Sequence, residues 1–116
     1  MRTDAMSSNE NHSLLQKIQD LISAEKVAFK RHCVLRMRQR SISVDELKEA
    51  MLHAEVVEYY EDDYPFPSSL ILGFTASQRP LHAVIAMDQK SDFLWIITLY
   101  EPTIQKWEAD FKKRRG

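Results

Sequence analysis

The sequence predicts an α+β domain: N-terminal helices packed on a small antiparallel sheet of about four strands, closed by a C-terminal helix. Three observations predict it. Apolar residues recur at helical spacing as far as Ala54. From Glu55 the period shortens to two, and β-branched and aromatic residues dominate. Helical spacing then returns after Pro102. Helices first and strands afterwards fit segregated layers better than an alternating parallel fold. The 116 residues suit one domain. It is expected over 13–116, behind a polar leader, 1–12, expected to be disordered and lacking the apolar run of a signal peptide.

The first helix is expected over 13–23, where Leu14, Leu15, Ile18, Leu21 and Ile22 mark one face. "KVAF", 26–29, reads as a short extended piece. A second helix is expected over 31–40 and a third over 43–53. Ser43 and Glu46 have the spacing of a capping box, and Ile42 and Leu47 that of a hydrophobic staple. Leu47, Ala50, Met51 and Ala54 form the buried face of this helix. Strands are expected over 55–60, 69–75, 80–87 and 93–100, and the short loops between the last three make neighbours antiparallel. "DDYPFPSS" is turn chemistry, since proline cannot donate to a ladder. In the last strand, strict alternation puts Phe93, Trp95, Ile97 and Leu99 on one face and Leu94, Ile96, Thr98 and Tyr100 on the other. Ile104, Trp107 and Phe111 then predict a helix over 103–113, entered at Pro102.

Charge is segregated more sharply than the net value of −1 suggests. Lys26 to Arg40 holds six Lys/Arg and no carboxylate, whereas Asp45 to Asp63 holds eight Asp/Glu and one lysine, Lys48. The bulk balance lacks the clear basic excess usual in nucleic-acid-binding domains, but leaves room for a local basic face. A single cysteine, Cys33, excludes an internal disulfide and favours a reducing, cytoplasmic compartment. No apolar run is long enough for a transmembrane helix, so no membrane association is expected.

His32, Arg36 and Arg40 stand at i, i+4 and i+8, within an arc of about 80° on a helix. Neighbouring arginines repel there by roughly 0.2–0.5 kcal/mol, so something should offset them. A phosphate suits the guanidinium fork. The acidic segment, through Glu55, Glu58 and Glu61, is the other candidate partner. His82 in a strand and Tyr100 at a strand end complete a set that could activate a ribose hydroxyl and stabilise a charged phosphorane. His32, His82 and Tyr100 are therefore the catalytic candidates, and Arg36 and Arg40 the substrate-binding ones. His12, His32, Cys33, His53 and His82 lack ligand spacing, so no metal is expected. With only Gly73 and Gly116, no phosphate loop or dinucleotide fingerprint exists, and no cofactor is expected.

Several motifs occur together: His32, Arg36 and Arg40; Ile42-Ser43; Pro67-Ser68; "RPLH" at 79–82; and "IITLYEP" at 96–102. In this order they resemble the small prokaryotic domains grouped as domain-of-unknown-function family 4258, over about residues 30–102. That family looks similar in fold to RelE/ParE-type toxins. By analogy the resemblance implies a RelE-like layout and an RNA-binding or RNA-cleaving ancestry, as an endoribonuclease. The runner-up reading is a non-catalytic interaction module whose segregated charge serves self-docking or a partner protein, and the third is a remnant toxin that binds an antitoxin-like protein.

Overall fold

The computed structural model of the chain describes residues 8–88, 90 and 92–116. In chain order the elements are α1 (Ser8–Ser23), β1 (Val27–Phe29), α2 (Arg31–Gln39), α3 (Val44–Met51), β2 (Glu55–Tyr60), β3 (Ser68–Phe74), β4 (Pro80–Asp88) and β5 (Phe93–Tyr100). The fold is α+β, with three helices on one face of a five-stranded sheet ordered β1-β5-β4-β3-β2. Four strands are antiparallel neighbours as expected, but β1 pairs parallel with β5, so the sheet is mixed. The extra strand is the "VAF" of the short extended piece. Three residues are too few to show a period, but the edge of β5 gives their backbone groups partners.

Local chemistry explains where the helices start. The Ser43 hydroxyl accepts the Glu46 backbone N–H at 3.1 Å, and Glu46 accepts the Ser43 N–H at 3.0 Å, closing the capping box. Ile42 and Leu47 are both buried in the main core. Helix α1 begins at Ser8, so the stretch 8–12 is helical rather than part of a disordered leader. Residues 1–7 of that expected leader lie outside the described residues.

The main core lies between the helices and the sheet. Ile18, Cys33, Met37, Leu47 and Met51 meet Ile71, Leu81, Ala83, Ile85, Leu94, Ile96 and Leu99 there. Each large aliphatic side chain so buried contributes about 1.5–3 kcal/mol. Helix α3 approaches β3 so closely that a Cβ on Gly73 would lie 2.0 Å from the Ala50 carbonyl oxygen, leaving glycine as the only residue that fits.

Two expectations about the second half are corrected. Strict alternation along β5 fails because of a bulge: Val84 pairs with Thr98 but Ile85 with Ile96, leaving Ile97 as the extra residue. Leu94, Ile96 and Leu99 therefore share the core face, while Trp95, Thr98 and Tyr100 face the other way. The expected C-terminal helix is absent. One turn forms, where Thr103 O accepts the Lys106 and Trp107 N–H groups. The chain then reverses, with Glu108 N–H donating to Lys113 O, Trp107 bridged to Arg114, and Phe111 at φ 61. Tertiary partners override the helical spacing. Trp107 is buried against Tyr60 and Leu70 on the outer sheet face, and Lys112 and Arg114 reach Glu55 and Glu58 on β2. Among the described residues no helix is long and apolar enough to cross a membrane.

Candidate functional site

Strand β1 covers only Leu94 to Ile96 of the β5 edge. Helix α2 lies along the rest. The Lys30 N–H donates to Ile96 O at 3.0 Å at its start, and Arg40 Nη1 donates to Leu99 O at 3.0 Å at its end. Cys33 and Met37 point into the core. Burial pushes the Cys33 thiol up, against the opposing pull of Arg40, so it stays protonated and unreactive.

Arg31, His32, Arg36, Arg38 and Arg40 all project outward and are exposed. None of them pairs with a described carboxylate. The acidic strand is engaged elsewhere: Glu58 takes a bidentate fork from Arg114, at 2.9 Å for both bonds, and Glu55 pairs with Lys112 at 2.9 Å. The C-terminal basic residues thus neutralise the acidic strand, and the arginines of α2 do not. Burial of Glu58 acts to raise its pKa, but hydrogen bonds from Arg114 and Tyr60 outweigh that and hold it below the usual carboxylate range. The Tyr60 hydroxyl donates to Glu58; burial first, and then this carboxylate, push it up to about 12.

At the end of α2 a cleft of about 630 Å³ opens between β5 and the returning tail. Arg40, Arg79, Tyr100, Glu101, Lys106 and Arg114 line it. Four cations thus face one carboxylate. Two of them are committed to the scaffold. Arg79 donates to Glu101 at 2.6 Å, to Glu46 at 3.2 Å, to Ser41 O at 2.8 Å and to Arg40 O at 2.9 Å. Arg114 binds Glu58 and lies over the Trp107 ring, 4.7 Å from its centroid. The side chains of Arg40 and Lys106 remain without a carboxylate among the described residues. They are the cations available to a ligand.

The structure brings Arg40, Tyr100 and His82 together, and leaves His32 and Arg36 outside the cleft. At 1.5 Å per residue, Arg36 stands about 6 Å and His32 about 12 Å back along the helix axis from Arg40. His82 is fully buried beneath the cleft. Its Nδ1 lies 3.1 Å from the Tyr100 hydroxyl and its Nε2 lies 2.8 Å from the Phe111 carbonyl. A carbonyl can only accept, so Nε2 carries the proton, and neutral Nδ1 accepts from Tyr100. Burial lowers the His82 pKa, against the raising effect of the Phe111 carbonyl, and burial raises that of Tyr100. Both nitrogens are occupied, and the Trp107 ring packs at 82° to the imidazole with centroids 4.4 Å apart. In this arrangement the imidazole ties the tail to the sheet, and meets the cleft through the Tyr100 hydroxyl.

Sequence reasoning did not place Arg79, Lys106 or Arg114 at this site. Arg79 stood in the "RPLH" motif without a role, and Lys106 and Arg114 lay in a supposed helix. Only the antiparallel return of β4 and β5, and the reversal of the tail, bring them beside Arg40. Among the described residues, no group of three or more His, Cys, Asp or Glu side chains is placed to hold a metal ion. A second cleft of about 510 Å³, between α1 and the sheet, is lined mainly by apolar side chains such as Leu14, Phe66, Ile85 and Met87, together with Ser69, Asp88 and Lys90.

The family described as a domain of unknown function (DUF4258) matches residues 29–101, which is well over half of the chain, and the chain belongs to it. No curated protein and no solved structure matches the sequence.

Proposed function

We propose that this DUF4258 domain binds the phosphate backbone of RNA along α2 and into the cleft at its end. One observation carries the reading: the cations of α2, with Lys106, have no carboxylate partner among the described residues, although those residues include enough carboxylates to supply them. The row from His32 through Arg36 to Arg40 is about 12 Å long, which suits an extended polyanion better than a lone phosphate. Arginine forks add geometry to the charge. Arg79 fixes the backbone at Arg40, so this guanidinium is held at the mouth of the cleft. Tyr100 contributes an aromatic face, and its oxygen, whose proton goes to His82, can accept from a ribose hydroxyl. The resemblance to RelE/ParE-type toxins that the sequence motifs imply favours RNA as the polyanion, by analogy alone. Binding is the activity proposed.

Titration of single-stranded RNA against salt tests this. Each phosphate contact contributes a slope of roughly −0.7 in log affinity against log salt. Changing both Arg40 and Lys106 to Gln should flatten the slope by about 1.4. An unchanged slope would remove the cleft from the interface.

A second reading rests on a different observation. Val34 and Leu35 are exposed on α2, at 39% and 51%. Apolar groups among cations also suit an acidic protein partner of the antitoxin type. That reading predicts no affinity for RNA, so the same titration separates the two.

A further inference from the structure

We infer that the open part of the outer sheet face, around Trp95 and Phe93, is a stacking platform for the unpaired bases of a single strand. The inference rests on the RNA reading above and adds how the bases are held. The returning tail seals the outer face over β2, β3 and β4, where Trp107 and Phe111 pack with Tyr60, Leu70 and Val84. It stops short of most of β5. Phe93, Trp95 and Ile97 belong to neither buried cluster and stay half-buried. The Phe93 and Trp95 rings lie 6.2 Å apart at 51°.

Strand and helix run side by side here. On β5, Trp95 and Tyr100 stand five residues, or about 16 Å, apart on the outer face, with Ile97 and Thr98 between them. At the two ends of α2, Lys30 and Arg40 stand ten residues, or about 15 Å, apart. Strand and helix meet at both ends: the Lys30 ammonium lies 4.6 Å from the Trp95 ring centroid, and Arg40 bonds Leu99 O and shares the cleft with Tyr100. Rings set beside cations at both ends of a strand suit a single strand, with bases on the rings and phosphates on the cations. A duplex keeps its base faces stacked internally and cannot use the rings. The substrate class is therefore single-stranded RNA with little preference for sequence, because every base has a π face.

The test compares a short oligoadenylate with an abasic ribose-phosphate strand of equal length, on the full chain, for wild type, Trp95→Ala and Trp95→Phe. The wild type should prefer the base-bearing strand. Trp95→Ala should weaken oligoadenylate binding on the order of tenfold, leave the abasic strand bound as before, and keep the salt slope. Trp95→Phe should retain most of the affinity. Retained abasic binding also shows that the alanine variant is folded. If that variant does not fold, the preference of the wild type still decides: equal affinity for the two strands overturns the platform. Equal loss on both strands, or on neither, overturns it as well, while leaving phosphate binding in place. If the wild type binds neither strand, the RNA reading fails and the platform with it.

Discussion

Replacing His82 with alanine should release the C-terminal tail, and the size of the effect follows from the surroundings of the imidazole. The side chain is fully buried and bonds the Tyr100 hydroxyl at 3.1 Å and the Phe111 carbonyl at 2.8 Å. Each lost hydrogen bond costs about 1 kcal/mol net, and the carbonyl left unpaired adds to that. The cavity under Trp107 adds a packing loss, giving a total of about 3–5 kcal/mol. That is a large share of the roughly 5–15 kcal/mol that holds a domain together. Urea unfolding at pH 7.5 would measure the loss, and limited proteolysis would locate it in 101–116. The imidazole also predicts a pH dependence. Burial lowers its pKa in the folded chain, below the unfolded value of about 6.5. The unfolded chain then binds more protons between the two values. This stabilisation is complete above about pH 6.5 and is lost as pH falls through the folded pKa. His82→Ala should remove that component. An unchanged urea midpoint with a protected tail would refute the anchoring role, and would reopen His82 as a group that acts on ligands.

Three further outcomes follow from the packing. Ser43→Ala removes the acceptor of the Glu46 N–H and should cost about 0.5–2 kcal/mol in chemical denaturation; no loss would dismiss the capping box. Gly73→Ala must displace the Ala50 carbonyl, since its Cβ would lie 2.0 Å from that oxygen; overpacking should cost about 1–3 kcal/mol or more, read as a lower melting temperature. Arg79→Met breaks the half-buried ties to Glu46 and Glu101 and frees the Arg40 backbone; it should cost about 2 kcal/mol and weaken RNA binding through misplacement of Arg40, and an unchanged affinity would separate Arg79 from the site.

The first half of the fold was legible because local signals agreed there. The capping box at Ser43, the staple of Ile42 and Leu47, and the helical stripe of α1 all point the same way. The change of period at Glu55 marked the start of β2, the first of the four antiparallel strands, correctly. What could not be read depends on partners distant in sequence. Val27–Phe29 becomes a strand only because β5 offers it an edge. Ile97 gives no local sign of being a bulge, yet it reverses the facing of Thr98 and Tyr100. Ile104, Trp107 and Phe111 have true helical spacing, but Trp107 finds the outer sheet face, and Arg114 finds Glu58 instead. The site follows the same division. Arg36 and Arg40 were visible as one helical row. Whether Glu58 would neutralise them was undecidable until the tail was seen to occupy it.

The most direct test of the central claim is Arg36→Gln, measured for RNA binding against salt and for urea stability on the same protein. Arg36 is exposed and has no carboxylate partner among the described residues, so its only proposed role is toward a ligand. The account predicts that the salt slope falls by roughly 0.7 while the urea midpoint stays where it was. A lower midpoint with an unaltered slope would contradict it, and would make the arginine row part of the scaffold.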